Sequence, residues 1–510
     1  MHKFEELINL TLKACESWVK LDENGELRFI DPIDKQEISA HYGATHTAAA
    51  FILLGKLRDD IPLLEKGKAL LTSILKRWDT SKILPGFHAD FNNFALCVAF
   101  DSLKGIDSEL CKQIKIKVCT TSDSNHNTVN WLPMRWYVNT KRYEWTSDEK
   151  YKKICEECRL KINQATNEDG GIEDILPKGT SFNLQYNLAT VSVLQFMRCR
   201  GLDIELSKEM GFLLSTVAPD GDINYQGRGT NQIFAWGMWI YLLSSSSQNE
   251  VETNKAIYFL SNKAATMLEN NNIMLNNSKG EEKHLWWDYH YSSVYTAHFL
   301  FWMVLSLVDF QKKTIKTKNS ELKDSGIVIY KTSDYFISTF NGRKKYLAET
   351  GPIISAFWIK KYGMINKGTF GPWLGMFGNK NTYGVVVLRN YIGLLKVVHN
   401  INWSNNRLIN KLLPNIKSTD YIKTSPLITS FKIKETGNAI IIKFDNSKRE
   451  QVVFNFPMLD SIIGTPKISL LADGVPMIII NNNKIRTQYG WCSIYQSKRS
   501  NAKEWILMIE

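Results

Sequence analysis

The stretch APDGDINYQGRGTNQIFAWG, residues 218–237, joins a polar loop to an apolar helix and decides how the rest of the chain is interpreted. It opens with the turn signal Pro219-Asp220-Gly221, and an apolar run begins at Ile233. Between them the loop concentrates polar side chains around two glycines: Asp222, Asn224, Tyr225, Gln226, Arg228, Asn231 and Gln232. Loops held by rigid elements commonly carry binding groups, although a solvated loop that caps a core helix has the same pattern.

The same junction recurs along the first 312 residues. Six nearly uncharged segments each open with His, Asn, Tyr or Gln, namely 41–55, 87–100, 126–138, 181–197, 227–243 and 289–308. They alternate with six amphipathic, charged segments, namely 4–19, 61–78, 107–118, 147–165, 205–218 and 250–270. A helix that is apolar on all sides is surrounded by protein, whereas a helix with a charged face lies outside. The alternation predicts a double ring of helices, an (α/α)6 toroid, over residues 1–312.

The polar clusters of such a ring converge. If all six inner helices point the same way, their amino-terminal clusters meet at one mouth of the ring. Helix N-termini offer unpaired N–H groups and partial positive charge, so this mouth favours an anion. Helix capping explains one or two polar residues per cluster, but it does not explain the repeated Tyr, His and Trp.

The periodicity changes at about Ser325 to that of β-strands. The predicted strands are 326–332, 334–340, 383–389, 394–400, 428–435, 438–444, 450–456 and 504–510,. We therefore predict an α+β multidomain protein, in which a polar linker over 313–324 leads to an antiparallel β-sandwich domain over 325–510.

The distribution of charge along the chain indicates the kind of partner that the protein binds. Residues 316–510 carry 28 basic and 12 acidic side chains, out of a net charge of +12 for all 510 residues. This suits a polyanion such as an anionic polysaccharide or oligosaccharide, although a general solubility charge would look the same. No nucleic-acid-binding motif is present, so we expect no nucleic-acid partner. The sequence does not define the oligomeric state.

Other signals are negative. The eight cysteines are scattered, and the single CxxC at Cys155 and Cys158 has no second pair, which favours free thiols in a reducing compartment. No Gly-rich nucleotide motif or metal-ligand spacing is evident, so we expect no cofactor and no metal. No apolar run reaches the length of a membrane span, and the amphipathic N-terminus is unlike a signal peptide, so we expect the cytoplasm.

Two motifs add a family resemblance. Ser181-Phe182-Asn183-Leu184-Gln185-Tyr186-Asn187 opens an inner helix, and further along comes the Pro-Asp-Gly turn with Tyr225 and Arg228. Together with a toroid and a β-sandwich, they resemble polysaccharide lyases of the heparinase II/III and alginate lyase type. Two features differ from that family. Gln185 or Tyr186 stands near the place of the family histidine, and the His-Ala-Asp element of the family's β domain is not found in the C-terminal half.

The resemblance implies β-elimination at a uronic acid. Such a reaction needs a group that neutralises the carboxylate, a base for the neighbouring carbon-bound proton, and an acid for the leaving oxygen. Arg228, Asn183 and Gln185 would hold the carboxylate, because arginine binds planar carboxylates in bidentate fashion. Tyr225 would be acid, base or both, with Tyr186, His126, His290 and Tyr291 as further candidates. The candidate substrate-binding residues are His126, Asn130, Trp131, Arg135, Asn224, Asn231, Gln232, Trp286 and Trp287.

Two alternatives remain open. A glycoside hydrolase on the same toroid needs two carboxylates at the mouth, about 5–9.5 Å apart. The acidic residues in candidate loops are Asp90, Asp169, Glu173, Asp174, Asp220, Asp222 and Asp288. The second alternative is a glycan-binding protein without catalytic activity.

Overall fold

The computed structural model describes most of the helical half and a large part of the strand-forming half. The described residues are 2–78, 86–126, 128–177, 183–226, 233–246, 250–269, 272–273, 291–310, 312–313, 315, 322, 325–340, 353–367, 377–378, 430–436, 439–445, 453–487 and 489–510. Several predictions lie outside them: the site residues Arg228, Asn231, Gln232, Trp286, Trp287, Asp288 and His290, and the strands at 383–389 and 394–400.

The helical half contains α-helices in the predicted alternation. Their bounds are α1 (His2–Trp18), α2 (Gly43–Leu57), α3 (Ile61–Trp78), α4 (Ala89–Leu103), α5 (Ser108–Thr120), α6 (Leu132–Thr146), α7 (Glu149–Ala165), α8 (Leu184–Cys199), α9 (Ser207–Ser215), α10 (Ile233–Ser245), α11 (Glu250–Met267) and α12 (Ser292–Val308). The even-numbered helices are those that contain the nearly uncharged segments, although α6 continues into a charged stretch at its end. Every residue of α10 is buried, as an all-apolar helix requires.

The inner helices form a closed ring. Each even-numbered helix contacts the next, from α2 to α12, and α12 contacts α2. The amphipathic helices α3, α5, α7, α9 and α11 pack on the inner helices α2, α4, α6, α8 and α10, while α1 packs on α12. The predicted alternation of inner and outer helices is therefore confirmed. We call the end of the ring at which the inner helices begin the mouth.

One glycine sets the closeness of two inner helices. A Cβ atom added to Gly237 of α10 would lie 2.8 Å from the Phe299 carbonyl oxygen of α12. No side chain fits in that space, so α10 and α12 approach each other backbone to backbone.

The strands form antiparallel pairs throughout the described residues. Their bounds are β1 (Val19–Leu21), β2 (Leu27–Phe29), β3 (Leu268–Glu269), β4 (Asn272–Ile273), β5 (Ile327–Lys331), β6 (Tyr335–Phe340), β7 (Ile353–Ile359), β8 (Gly363–Lys367), β9 (Phe377–Gly378), β10 (Ser430–Thr436), β11 (Ala439–Asp445), β12 (Val453–Leu459), β13 (Ile468–Ala472), β14 (Val475–Met477), β15 (Ile479–Thr487), β16 (Gly490–Ser497) and β17 (Glu504–Ile509). The larger sheets have the strand orders β5-β6-β7-β8, β10-β11-β17-β13-β14 and β15-β16-β12-β9.

The sheet β5–β8 joins the helical half to the other strands. Phe336 and Ala356 belong to the same hydrophobic cluster as the ring helices, whereas Ile337 and Phe357 pack in a second cluster with residues of β11, β12, β13 and β17. Successive side chains of a strand point to opposite faces, so one face of this sheet covers the helical half and the other packs on the remaining strands.

The antiparallel strands are confirmed, but a two-layer sandwich is not shown. In the C-terminal half, β7, β8, β9 and the strands from β13 to β16 were not predicted from the sequence. The domain boundaries at 312 and 325 stay predictions. Within the described residues, no helix has the length and apolar character needed to cross a membrane.

Candidate functional site

Large polar rings occupy the first positions of the inner helices. The N-cap residues are Tyr42 of α2, His88 of α4, Trp131 of α6, Asn183 of α8 and Tyr291 of α12. Asn183 alone among these five makes a side-chain capping bond: its Oδ1 accepts from the Tyr186 amide at 3.3 Å. Capping therefore does not account for the tyrosine, histidine and tryptophan side chains at the mouth.

Five rings, three of them from N-cap residues, touch in a row along one side of the mouth. His41 stacks on His88 with ring centroids 4.1 Å apart, and His88 in turn stacks on Trp131 at 5.4 Å. Trp131 stacks on His126 at 4.5 Å, and Tyr291 meets His41 edge-on at 4.9 Å. We call these five residues the aromatic arc. It spans the beginnings of α12, α2, α4 and α6.

His88, which stacks on two other rings of the arc, is uncharged. Burial lowers the pKa of His88 to about 4, and neighbouring His126 acts in the same direction, so His88 is neutral near pH 7. Its Nδ1 lies 2.8 Å from the Ala40 carbonyl oxygen, which fixes the plane of the ring. Flat neutral rings of this kind stack well on the apolar faces of ligand rings.

A second group of side chains lies on the other side of the mouth. Gln185 and Asn187 are in the first turn of α8, and the Gln185 Oε1 accepts from Asn224 Nδ2 at 3.1 Å. The Gln185 Nε2, both side-chain polar atoms of Asn187 and both of Gln226 are buried without a partner among the described residues. We call Asn183, Gln185, Asn187, Asn224 and Gln226 the amide cluster. Unpaired buried amides are costly, and a bound ligand or water commonly satisfies such groups.

Imidazoles also lie beneath the mouth. His46 and His298 are fully buried with ring centroids 5.1 Å apart, and Phe234 stacks on His298 at 4.3 Å. Burial lowers the pKa of His46 to about 3 and that of His298 well below its usual value. Both rings are therefore neutral at pH 7. Within the described residues, His46 Nε2 and both ring nitrogens of His298 have no partner.

Two further tyrosines lie at the beginnings of inner helices. Tyr42 is the N-cap residue of α2 and Tyr186 is in the first turn of α8. Burial raises the pKa of Tyr42 well above its usual value, and the negative charge of an ionised Tyr186 raises it further. Tyr42 was not predicted, although it stands in the first polar cluster, HYGATH (41–46).

The position of Tyr225 favours a structural role. Its hydroxyl group donates to the Thr216 carbonyl oxygen at 2.6 Å, and the side chain is completely buried. Its ring lies edge-on to Phe336 of β6, and burial raises the pKa of the Tyr225 hydroxyl group above its ordinary value. A buried hydroxyl group that is already bonded to the backbone is poorly placed for proton transfer to a substrate.

Arg135 also differs from its predicted substrate-binding role. Its guanidinium group donates to Asp90 Oδ2 at 2.9 Å and to the carbonyl oxygens of Ser124 and His126, both at 2.7 Å. These bonds hold the loop before α6 and so position the His126 ring of the arc. Asn130 lies buried in the turn at the start of α6.

Most candidate carboxylates of the hydrolase alternative are engaged within the protein. Asp90 pairs with Arg135, and burial raises its pKa to about 6 against the lowering effect of that arginine. Asp169 accepts from the amides of Gly171 and Ser325, both at 3.0 Å. Glu173 and Asp174 are buried in the loop before α8.

The loop 218–226 is held by the sheets. At the end of β8, Lys367 donates to Asp220 at 2.6 Å and lies 2.8 Å from Asp222. The Tyr489 hydroxyl group, in the turn between β15 and β16, lies 3.0 Å from Asp222 Oδ2 and 2.7 Å from the Asn224 carbonyl oxygen. We call Lys367, Asp220, Asp222 and Tyr489 the Lys367 cluster. Through Asn224 it connects the C-terminal strands to Gln185 of the amide cluster.

No metal centre is apparent in the described part of the chain. It contains no group of three or more His, Cys, Asp or Glu side chains that could hold a metal ion. The described part of the mouth offers stacked rings, amides and tyrosine hydroxyl groups.

Comparisons with known proteins give structural similarities only. No family model and no curated protein matches the sequence. An unsaturated glucuronyl hydrolase from Streptococcus agalactiae is 12% identical with a TM-score of 0.42, covering 60% of this chain and 92% of its own. An α-1,6-mannanase from Salegentibacter sp. HEL1_6 has the same identity and TM-score, covering 60% and 99%. A polysaccharide lyase is 12% identical with a TM-score of 0.40, covering 59% and 96%. The ring described above therefore rests on its own helix contacts, and the heparinase II/III resemblance is not confirmed.

Proposed function

We propose that this chain cleaves a uronic-acid-containing polysaccharide by β-elimination at the mouth of the ring. One observation carries the proposal: a row of stacked rings lies on one side of the mouth, and buried amides without partners among the described residues lie on the other. Rings of this kind suit the apolar faces of sugars, and amide N–H groups suit their carboxylate and hydroxyl oxygens.

The amide cluster supplies the carboxylate-binding groups in this proposal. Gln185 and Asn187 would donate to the uronate from the first turn of α8, where the helix dipole also favours negative charge. Arg228, which lies outside the described residues, would add a positive charge by the sequence argument. Withdrawal of charge by these donors makes the carbon-bound proton beside the carboxylate acidic.

Proton transfer is assigned to Tyr186, in place of Tyr225. The ionised Tyr186 side chain would take the carbon-bound proton, the carbon–carbon double bond would form, and the bond to the glycosidic oxygen would break. The leaving oxygen then takes a proton from a tyrosine. We assign that second role to Tyr42, which burial keeps protonated near pH 7,.

The hydrolase alternative has less support from the described residues. Asp90, Asp169, Asp220 and Asp222 are each held by an ion pair or by backbone amides. Hydrolysis needs one carboxylic acid and one carboxylate facing the substrate, and Glu173 and Asp174 are the remaining described candidates. We also propose that the C-terminal sheets form a β-sandwich whose excess of basic residues attracts the polyanion.

The test is incubation of the full chain with a panel of acidic polysaccharides. Elimination produces an unsaturated uronate, so ultraviolet absorbance and reducing ends should rise together. New reducing ends without absorbance would instead identify a hydrolase. Binding without either signal across the panel would identify a glycan-binding protein without activity, and no binding to any member would contradict the proposal.

A further inference from the structure

A cavity adjoins the aromatic arc on the outward side of the ring. It has a volume of about 640 Å³ and lies among the ends of α3 and α5, the start of α4 and the loop before α6. Its lining residues include Trp78, Phe87, Thr121, Asp123, Asn125 and His126. Ligand sites in proteins commonly occupy about 300–1,000 Å³, so the space is adequate for a sugar unit.

Phe87 links this cavity to the arc. Its ring meets His88 at 5.0 Å, His126 at 4.9 Å and Trp131 at 5.1 Å, edge-on in each case. Unlike those neighbours, the Phe87 side chain is 48% exposed. An exposed aromatic ring fixed at the boundary between a stacked row and a cavity is placed to contact a ligand that extends from one into the other.

The described side chains that line the cavity suit an uncharged ligand. The described lining contains no lysine or arginine. Its one carboxylate, Asp123, accepts from Arg142 at 2.5 Å and from Asn139 at 3.0 Å. The remaining polar lining consists mainly of hydroxyl and amide groups, such as those of Thr121, Ser122 and Asn125. Such groups exchange hydrogen bonds with sugar hydroxyls, whereas a buried anion needs a cation or several donors.

We propose that this cavity binds an uncharged sugar unit next to the uronate held in the mouth. The substrate would then alternate uronic acid with a neutral sugar, and its chain would cross the rim at Phe87. This inference rests on the proposed function, because it places the uronate in the mouth.

The test compares two hexasaccharides on protein carrying Tyr186→Phe, which prevents cleavage. One alternates glucuronate with N-acetylglucosamine, as in hyaluronan, and the other contains uronate alone, as in oligogalacturonate. Adding Phe87→Ala should raise the Kd of the alternating hexasaccharide about 10-fold, as expected for the loss of one aromatic contact. The Kd of the uniform hexasaccharide should stay within about twofold.

Two further variants sharpen the test. Phe310→Ala removes a ring that is 61% exposed just beyond the end of α12, at the opposite end of the ring from the mouth, and should change neither Kd. Asn125→Arg places a cation beside the exposed cavity loop and should tighten binding of the uniform uronate several-fold.

The outcomes separate the two proposals. If the parent protein binds either hexasaccharide but Phe87→Ala matches Phe310→Ala for both, the cavity assignment is wrong and the proposed function stands. If the parent protein binds neither these two nor any other uronate oligosaccharide, the proposed function fails and the cavity assignment fails with it.

Discussion

Two tyrosines that the sequence presents as alternatives differ sharply in their surroundings. Tyr225 is completely buried, and its hydroxyl group is bonded to the Thr216 carbonyl oxygen. Tyr186 stands in the first turn of α8, and 8% of its surface is exposed. The sequence places both tyrosines beside polar clusters. It does not show that the Tyr225 hydroxyl group will bond the carbonyl oxygen of Thr216, nine residues earlier. Burial and hydrogen bonding decide that choice, and both depend on the folded chain.

Replacement of Tyr186 by phenylalanine should remove the proposed proton-transfer group and little else. Loss of general acid–base catalysis typically lowers kcat by about 100-fold or more. The measurement is the initial rate of absorbance increase on whichever polysaccharide the panel identifies, together with the thermal unfolding midpoint as a control for folding. A rate equal to that of the parent protein would exclude Tyr186 from the reaction.

Tyr225→Phe should have the opposite profile. Turnover should be retained, while the free energy of unfolding should fall by about 1–2 kcal/mol, because the Thr216 carbonyl oxygen loses its buried donor. Urea denaturation measures this change. Tyr143→Phe is a matched control, since the Tyr143 hydroxyl group bonds Glu149 at the surface and its loss should be nearly neutral. A large loss of activity with unchanged stability would restore Tyr225 as a catalytic candidate.

The loop 218–226 depends on elements that are remote in sequence. Lys367 is 147 residues from Asp220, and Tyr489 is 267 residues from Asp222. Periodicity identified the helices because helix spacing is a local property of the chain. It could not identify the Lys367 cluster, because a lysine that ends a strand looks the same whether it faces solvent or a pair of buried carboxylates. For the same reason, the exposure of Phe87 could not be predicted from the sequence, because it depends on the ends of α3 and α5.

Lys367→Met should destabilise the protein strongly. The Lys367 side chain is only 2% exposed and that of Asp222 is fully buried, so the change leaves a buried carboxylate without the lysine that contacts it. Breaking a buried pair in this way costs about 3–5 kcal/mol, measurable by chemical denaturation. Lys360→Met breaks an exposed pair with Asp334 in the same sheet and should cost less than about 1 kcal/mol. Equal effects of the two variants would show that the Lys367 cluster contributes little to stability.

Gly237→Ala tests the contact between α10 and α12. The added methyl group would meet the Phe299 carbonyl oxygen at 2.8 Å, so the two helices must separate, at a cost of about 1–3 kcal/mol. Gly201→Ala is not a suitable control, because Gly201 has a positive φ angle and alanine would strain the backbone there. Ser245→Ala at the end of α10 provides a control that stays within the same helix. A thermal unfolding midpoint of Gly237→Ala at or above that of the parent protein would contradict the close backbone approach.

The whole ring shares one electrostatic property: its interior imidazoles are neutral. His46, His88 and His298 come from three inner helices, and burial lowers the pKa of each. Below the ordinary histidine pKa of about 6.5, the unfolded chain binds protons that the folded ring does not. Stability should therefore fall as the pH drops from about 6.5 toward 4.

Each buried imidazole should contribute a slope of up to about 1.4 kcal/mol per pH unit in that window. Denaturation curves at several pH values between 7.5 and 4.5 measure the total slope. His298→Phe keeps a ring against Phe234 but removes one titrating group, so its slope should be smaller than that of the parent protein. An identical slope in both proteins would mean that His298 is protonated in the folded state.

The contacts of α12 with both α2 and α1 have a consequence for biosynthesis. Ribosomes deliver α2 long before α12, so the apolar flank of α2 that α12 will cover stays exposed to water while the 234 intervening residues are translated. Until residue 308 leaves the exit tunnel, the ring of inner helices stays open, and apolar surface is exposed on both sides of the gap. The last inner helix thus closes the ring. A chain released before this helix is made would be a substrate for chaperones and proteases.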